Sequence, residues 1–294
     1  MLPCQVRRGE LLLGDRRLRW IEAGSGSPVV VLEAGLGEPG SLAYAGVLAA
    51  VAEQVRVIAY DRAGLGASDP VSPVNVTSQV SDLAAIAAAA GDGPCVLAGH
   101  SWGGLLVLLA AAQYPALIAG LVLIDPADEI YWSRLPAEIH RQSTDIGTMV
   151  IQRHAAGELA PMVRESFAPF VNSLTDHQER RNLLLDAYES CYVEEWQAHM
   201  PYAESEIFNG SIPLIHQMRS AAPLPEVPVF VLSATTGAAE EHRAMWTAVH
   251  ADLARSVARG THAVLADTHH AINVHRPEAI VSAITQVIAD VRGG

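Results

Sequence analysis

The order of apolar and polar residues along the chain predicts short strands alternating with helices. Four runs rich in β-branched residues are typical of buried strands, and they cover residues 29–33, 55–60, 95–98 and 121–124. Ala-rich stretches of helical length separate them, at residues 41–52, 78–90 and 101–114. This alternation predicts an α/β protein built on a mostly parallel, doubly wound sheet.

The alternation stops near residue 126 and resumes near residue 229. Helical periodicity appears within this interval at residues 182–192, where Leu183 is expected on the apolar face. The returning elements are predicted as strands at 229–233 and 262–266 and helices at 240–254 and 277–291. We therefore predict a core made of residues 1–126 and 227–294, interrupted by a helical segment at 127–226.

Composition fits a folded chain with a large core. The 294 residues include 19 basic and 32 acidic side chains, for a net charge of −13, and half of them are hydrophobic. A chain this apolar is not disordered. Its acidic balance makes nucleic acid an unfavourable partner, because the protein would repel phosphate.

The cysteines and the longest apolar runs indicate the cellular location expected for the protein. Cys4, Cys95 and Cys191 are far apart and form no CxxC pair, so neither a disulfide framework nor a thiolate metal site is expected. The longest apolar run near the N-terminus is three leucines, which is too short for a signal-peptide core, and the eight-residue run at 105–112 is far short of a membrane span. We expect a cytoplasmic protein with no membrane partner.

The sharpest motif in the chain is Gly99-His100-Ser101-Trp102-Gly103. It fits the pattern G-x-S-x-G, and it lies between a predicted strand and a predicted helix. In that setting the serine sits on a strained turn that exposes its hydroxyl at the carboxyl end of the sheet. Ser101 is therefore the candidate nucleophile.

With this motif the chain resembles the α/β-hydrolase superfamily, and most closely its capped serine esterases and lactonases. Four segments carry the resemblance in the expected order: residues 32–37, residues 60–69, the turn at Ser101, and His270 followed by Arg276-Pro277-Glu278. The resemblance implies that residues 127–226 form a helical cap inserted between the sixth and seventh strands.

A serine nucleophile needs a base, because a free hydroxyl is a poor nucleophile. Counting back from Arg276-Pro277-Glu278, the resemblance places the catalytic histidine at His270, although His269 stands where the family usually has glycine. A metal site built from His262, His269, His270 and His275 is also conceivable, but zinc spacing such as HExxH is absent.

The acid that orients the histidine has two possible positions in relatives. The loop after the seventh strand, residues 233–241, contains no Asp but ends in Glu240 and Glu241. Asp125 directly follows the four apolar residues of the sixth strand, which places it at the same sheet edge as Ser101. We favour Asp125, with Glu240 or Glu241 as the alternative and Asp128 and Glu129 as weaker candidates.

The remaining site residues follow from the resemblance. The oxyanion donors are expected to be the backbone N–H groups of Leu36 and Trp102, with Gly35 or Gly37 as alternatives to Leu36. The Asp61-Arg62 motif is expected to be structural. Aromatic residues of the inserted segment are candidates for lining a substrate chamber, namely Trp132, Tyr188, Tyr192, Trp196 and Phe208.

The expected function is a serine hydrolase that cleaves a small-molecule carboxylic ester or lactone and needs no cofactor. One alternative is an aminopeptidase that uses Glu204 and Glu206 to hold a substrate amine, and another is a carbon–carbon bond hydrolase. A third is a slow-turnover receptor that keeps the site but binds rather than consumes its ligand. Dehalogenase and epoxide hydrolase chemistry is disfavoured, because those relatives use an Asp nucleophile.

Overall fold

The fold is built on one eight-stranded sheet. The structure, a computed structural model, describes residues 5–91 and 93–293, so Cys4 lies outside the described residues. The strands are β1 (Arg7–Leu13), β2 (Arg16–Ala23), β3 (Val30–Glu33), β4 (Val57–Asp61), β5 (Cys95–His100), β6 (Ile118–Ile124), β7 (Val229–Thr236) and β8 (Gly260–His269).

The strand order across the sheet is β1-β2-β4-β3-β5-β6-β7-β8. β2 pairs antiparallel with both β1 and β4, and every other pair is parallel. The parallel strands therefore end at one common edge of the sheet. The loops that follow β3, β5, β6 and β8 meet at that edge, where ligands bind in open α/β sheets.

Twelve α-helices accompany the strands in the described part of the chain. They are α1 (Leu48–Ala52), α2 (Val76–Ala89), α3 (Trp102–Gln113), α4 (Glu129–Ser133), α5 (Ala137–Ala155), α6 (Leu159–Leu174), α7 (Gln178–Ser190), α8 (Glu195–Gly210), α9 (Ile212–Ser220), α10 (Glu240–Ser256), α11 (Ile272–His275) and α12 (Pro277–Gly293).

Helices cover both faces of the sheet. α2, α3 and α10 pack on one face, and α1 and α12 pack on the other. The parallel, doubly wound α/β architecture predicted from the sequence is therefore confirmed. α3 is buried from Trp102 to Ala112, because a helix that is apolar all round can be stable only inside a protein.

One predicted helix, at residues 41–52, is broken in the structure. A 3₁₀ turn occupies Gly40–Tyr44, and α1 begins only at Leu48. Gly46 lies between them, and a Cβ at this position would come within 3.2 Å of Pro277. Glycine weakens a helix, and the close approach of Pro277 favours glycine here, which agrees with the break in the Ala-rich stretch.

Residues 127–226, which we call the helical insertion, contain α4 to α9 and no strand. The insertion has an apolar cluster of its own, formed mainly by α6 and α7 with Phe170 at its centre. The predicted apolar face of α7 is wrong at Leu183, which is 57% exposed. Leu185 is buried instead, while Tyr188 and Cys191 of the predicted face are buried as expected.

None of the helices in the described ranges is both long and apolar enough to cross a membrane.

Candidate active site

Ser101 occupies a strained turn between β5 and α3. Its backbone has φ 51° and ψ −117°, a conformation that costs energy for a residue with a side chain. Two glycines make the turn possible. A Cβ on Gly99 would collide with the backbone of Gly103, and a Cβ on Gly103 would collide with the carbonyl groups of Glu33 and Ala34. The turn leaves Ser101 partly exposed at the carboxyl edge of the sheet.

His270 directly follows β8, the last strand in the order of the sheet, and its side chain contacts Ser101. Its Nε2 lies 2.9 Å from Ser101 Oγ, and its Nδ1 lies 2.6 Å from Asp125 Oδ2. The imidazole is 28% exposed, so a small molecule can approach it. The structure thus brings together the three residues predicted as nucleophile, base and acid.

Asp125 directly follows β6 and is almost completely buried. Its Oδ1 accepts a hydrogen bond from the Ala234 N–H at 3.0 Å. Burial opposes ionisation, but the hydrogen bond and charge of His270 and the charges of His250 and Arg243 hold the pKa of Asp125 well below its usual range. Asp125 is therefore an ionised hydrogen-bond acceptor at neutral pH.

The other candidate acids lie elsewhere. Glu240 and Glu241 are exposed in the first turn of α10. Asp128 caps α4 through the Tyr131 N–H, and it shares Arg219 with Glu129. Neither pair lies within hydrogen-bonding distance of His270 in the described structure.

His269 points away from Ser101. Its ring lies 5.5 Å from the ring of His275 and against Gly237. Within residues 5–91 and 93–293, no group of three or more His, Cys, Asp or Glu side chains has the geometry to hold a metal ion. The conceivable metal site of His262, His269, His270 and His275 is therefore not assembled in this part of the chain.

Hydrogen bonding in the loop after β3 distinguishes the possible oxyanion donors. The Gly35 N–H donates to Glu38 Oε2 at 2.5 Å, and the Gly37 N–H donates to Glu204 Oε2 at 2.8 Å. In the described residues the N–H groups of Leu36 and Trp102 have no protein acceptor. Of the three residues considered in this loop, Leu36 alone keeps a backbone donor available.

A pair formed by buried His100 and partly buried Glu38, whose side chain is 17% exposed, joins the loop after β3 to the turn at Ser101. His100 Nδ1 lies 2.8 Å from Glu38 Oε1, and its Nε2 lies 2.9 Å from the His270 carbonyl oxygen. Both ring nitrogens face acceptors, so the imidazolium form satisfies both contacts. Burial opposes this charge, yet Glu38 raises the pKa of His100. No motif in the sequence singled out this pair.

A second buried network lies under the same loop. Arg62 donates to the carbonyl oxygens of Ala34 and Gly35 and pairs with Glu33 and Glu204. The Asp61 carboxylate accepts the Ser41 and Ala67 N–H groups. Asp61 and Arg62 hold neighbouring backbone segments, which agrees with the structural role expected of them.

The aromatic residues of the helical insertion fall into three environments. Trp132 and Phe208 stack with a centroid distance of 4.9 Å, and Phe208 also packs on Trp102 at 5.1 Å. Tyr188 and Tyr192 donate hydrogen bonds to the carbonyl groups of Leu42 and Gly37, each at 2.9 Å.

Trp196 lies apart from these four aromatics. It lines a surface groove with Gly64, Val71 and Met200.

Glu204 and Glu206 have different environments. Glu204 is fully buried and bound by Arg62, the Gly37 N–H and Gln79 Nε2. Glu206 is exposed, and its partner is Thr144. A carboxylate already occupied by three donors is poorly suited to receive a substrate amine.

Comparison with known proteins identifies the family of the fold. The model of a family described as alpha/beta hydrolase fold matches residues 28–276. The chain belongs to this family. Cfl2 from Burkholderia cenocepacia superposes on the chain with a TM-score of 0.73 at 20% identity, covering 96% of each chain. At that identity the likeness shows the fold alone.

The curated relatives of this alpha/beta hydrolase match shorter stretches. Lipase LipV of Mycobacterium tuberculosis is 40% identical over 82 residues, which are 28% of this chain and 31% of the lipase. A soluble epoxide hydrolase of Corynebacterium sp. is 29% identical over 126 residues, 42% of this chain and 43% of that enzyme. The chain therefore covers less than half the length of each.

Proposed function

We propose that this alpha/beta hydrolase is a serine hydrolase that cleaves a carboxylic ester or lactone through an acyl-enzyme on Ser101. The observation that carries the proposal is the continuous hydrogen-bonded chain from Ser101 Oγ through His270 to Asp125. An ionised Asp125 can only accept hydrogen bonds, so His270 Nδ1 carries the proton and Nε2 is free to take one from Ser101.

The proposed reaction has two balanced halves. Ser101 Oγ attacks the substrate carbonyl carbon while its proton passes to His270 Nε2, and the N–H groups of Leu36 and Trp102 stabilise the oxyanion. The carbon–oxygen bond to the leaving alcohol then breaks, and the alcohol oxygen takes the proton from His270. Water repeats the sequence on the acyl-enzyme and regenerates Ser101.

Two features support an ester or lactone over epoxide hydrolysis, dehalogenation and aminopeptidase activity. The position after β5 holds Ser rather than an Asp nucleophile, which favours acyl transfer. The environment of Glu204 gives no support to an amine-binding role, because Arg62 and the Gly37 N–H already occupy its carboxylate.

We further propose that the helical insertion, residues 127–226, acts as a lid over a core made of residues 1–126 and 227–294. Phe208 of α8 packs on Trp102, and Pro201 of α8 lies against Gly37. Both contacts adjoin the proposed oxyanion donors. Trp132 and Phe208 are our candidates for the chamber wall, since they stack next to Trp102.

A panel of activated esters, lactones and aminoacyl amides tests the proposal. Ser101→Ala should lower ester or lactone turnover by at least about 1,000-fold, because the members of a triad act as a unit. Asp125→Asn should lower it by roughly 100-fold or more, because a neutral amide neither stabilises the imidazolium nor secures the His270 tautomer with its proton on Nδ1. Glu240→Gln is the matched control and should retain wild-type turnover.

Three outcomes would contradict parts of this proposal. Ester turnover that survives in Ser101→Ala would remove Ser101 as nucleophile. Full activity in Asp125→Asn with loss in Glu240→Gln would transfer the acid to Glu240. Labelling of Ser101 by a fluorophosphonate without multiple turnover of any substrate would favour a slow-turnover receptor.

A further inference from the structure

Arg243 shares the carboxylate of Asp125 with His270. Arg243 Nη1 lies 2.8 Å from Asp125 Oδ2, the same oxygen that accepts the hydrogen bond from His270 Nδ1. The Arg243 side chain is 5% exposed and the Asp125 side chain 1% exposed. A guanidinium therefore contacts the proposed acid inside the protein, where charges interact strongly.

α10 holds Arg243 in this position. Trp246, one turn further along, lies under the guanidinium with Arg243 Cζ 4.8 Å from its ring centroid. The same ring lies 5.2 Å from the ring of His270, and its Nε1 donates to the Pro126 carbonyl oxygen at 3.0 Å. Asp125 is the one hydrogen-bond partner of the Arg243 side chain in the described residues, and Arg243 Nε is buried without any.

The charges of the group explain what Arg243 does. A buried carboxylate with His270 as its one close cation would favour the protonated imidazole, because a buried charge is costly unless it is paired. Protonated His270 cannot accept the hydroxyl proton of Ser101. Arg243 neutralises Asp125 permanently, so the imidazole is not needed as a counter-ion before the reaction begins.

We propose that Arg243 is a positioning residue that acts through Asp125 to keep His270 unprotonated in the resting enzyme, and thereby extends hydrolysis to more acidic pH. This inference rests on the proposed function. Arg243 needs no contact with substrate for this role.

The other charged groups around His270 and Asp125 come from separate elements. His100 on β5 stacks beside His270 at 4.8 Å and is paired with Glu38. His250 on α10 lies 3.8 Å from Asp125 Oδ1, but burial lowers its pKa to about 4, so it is neutral above that pH. Burial, His100 and Arg243 lower the pKa of His270, while its hydrogen bond to Asp125 raises it.

The test compares kcat/KM against pH for the wild type, Arg243→Met and Arg243→Lys. Arg243→Met removes the charge but keeps apolar bulk. We expect the acidic limb of its kcat/KM profile, where activity falls as His270 is protonated, to lie about 1 pH unit or more higher than that of the wild type. At a pH below both limbs, this shift lowers activity by about tenfold or more. Arg243→Lys keeps a positive charge, so its limb should lie between the other two.

Arg219→Met is the matched control for losing a partly buried arginine. Arg219 pairs with Asp128 and Glu129 rather than with Asp125. The acidic limb of the Arg219→Met profile should therefore coincide with that of the wild type. A second measurement is independent of turnover. Histidine NMR, with the signal assigned through His270→Gln, should show His270 titrating below about 6.5, the ordinary histidine value, in the wild type and at a higher pH in Arg243→Met.

Each result decides the inference. An acidic limb in folded Arg243→Met that coincides with the wild type would overturn it, and so would equal shifts in the Met and Lys variants. If Arg243→Met does not fold, the NMR titration of the wild type decides the question. A His270 that titrates at or above about 6.5 would then overturn the inference. Absence of any Ser101-dependent turnover would overturn the proposed function instead, and the NMR titration would still test Arg243.

Discussion

At the scale of single residues, Glu38 connects three separate segments of the site. Its two carboxylate oxygens bind the Gly35 N–H, His100 Nδ1 and Asn273 Nδ2. These partners come from the loop after β3, the turn at Ser101 and the segment after His270. Although burial opposes it, the charge and hydrogen bond of His100 hold the pKa of Glu38 at about 2.

The pKa shifts of Glu38 and His100 predict the pH range in which this ion pair stabilises the fold. The lowered pKa of Glu38 stabilises the fold above about 4.5, and this contribution is lost as the pH falls from 4.5 to about 2. The raised pKa of His100 stabilises the fold below 6.5, and that contribution is lost as the pH rises through the raised value.

Glu38→Gln should therefore reduce the free energy of unfolding most between pH 4.5 and 6.5, by about 3 kcal/mol. Urea unfolding of the wild type and the variant, at pH values inside this window and near pH 3, measures the difference. The loss should shrink at the lower pH, where Glu38 begins to be protonated. Glu241→Gln, at an exposed position, is the control. An equal loss at both pH values would contradict the ion pair.

At the scale of elements, the helical insertion holds the peptide of Gly37 from both sides. Glu204 on α8 accepts the Gly37 N–H, and Tyr192, between α7 and α8, donates to the Gly37 carbonyl oxygen at 2.9 Å. Gly37 directly follows Leu36, the proposed oxyanion donor. The position of the insertion and the geometry of this loop are therefore mechanically linked.

Tyr192→Phe should lower kcat more than it changes KM. The variant leaves the Gly37 carbonyl without its donor, a loss worth about 1–3 kcal/mol, and the loop that carries Leu36 is free to shift. Steady-state kinetics on an activated ester measures the two constants. Tyr188→Phe removes an equivalent hydroxyl from the Leu42 carbonyl and should leave kcat close to the wild type. Equal effects of the two variants would contradict the link.

The interval between β6 and β7 shows where sequence patterns were informative at this scale. The absence of strands there followed from the missing β-branched runs, and the structure confirms it. The apolar face of α7 was wrong at Leu183 because periodicity within one helix cannot say which side a neighbouring helix covers. The places of Tyr188 and Tyr192 depend on contacts with loops about 150 residues earlier in the chain.

At the scale of the whole molecule, the described residues form three apolar clusters. Two lie on opposite faces of the sheet and share its strands, while the third lies mainly within the helical insertion. The third cluster touches the core through few residues, among them Leu42 and Ala45. Regions with smaller and more separate cores open more readily than a central sheet.

Phe170→Ala should therefore open the insertion locally. Phe170 is buried in the third cluster, and truncating such a side chain costs about 3–5 kcal/mol. Hydrogen exchange should accelerate by roughly 100-fold or more in α6 and α7, with little change in β3, β5 and β6. Leu183→Ala, on the exposed side of α7, is the control. Equal acceleration in the sheet would mean that insertion and core unfold as one unit.

The sequence alone determined the α/β class, the place of the helical insertion and the turn that carries Ser101. These features depend on local patterns, namely β-branched runs, helical periodicity and small residues flanking the serine, and such patterns act over a few residues. It also placed Asp125 at the same sheet edge as Ser101, because parallel strands end at a common edge. His270 was identified through the resemblance to the α/β-hydrolase superfamily.

Only the tertiary structure decided which side chains meet across that edge. It placed Asp125 rather than Glu240 against His270, left Leu36 with a free backbone donor, and brought Arg243 onto Asp125 from 118 residues further along the chain. Long-range pairs of this kind leave no periodic trace in a sequence, because each partner is fixed by the packing of its own helix or strand. The physical link between them exists only in the folded chain.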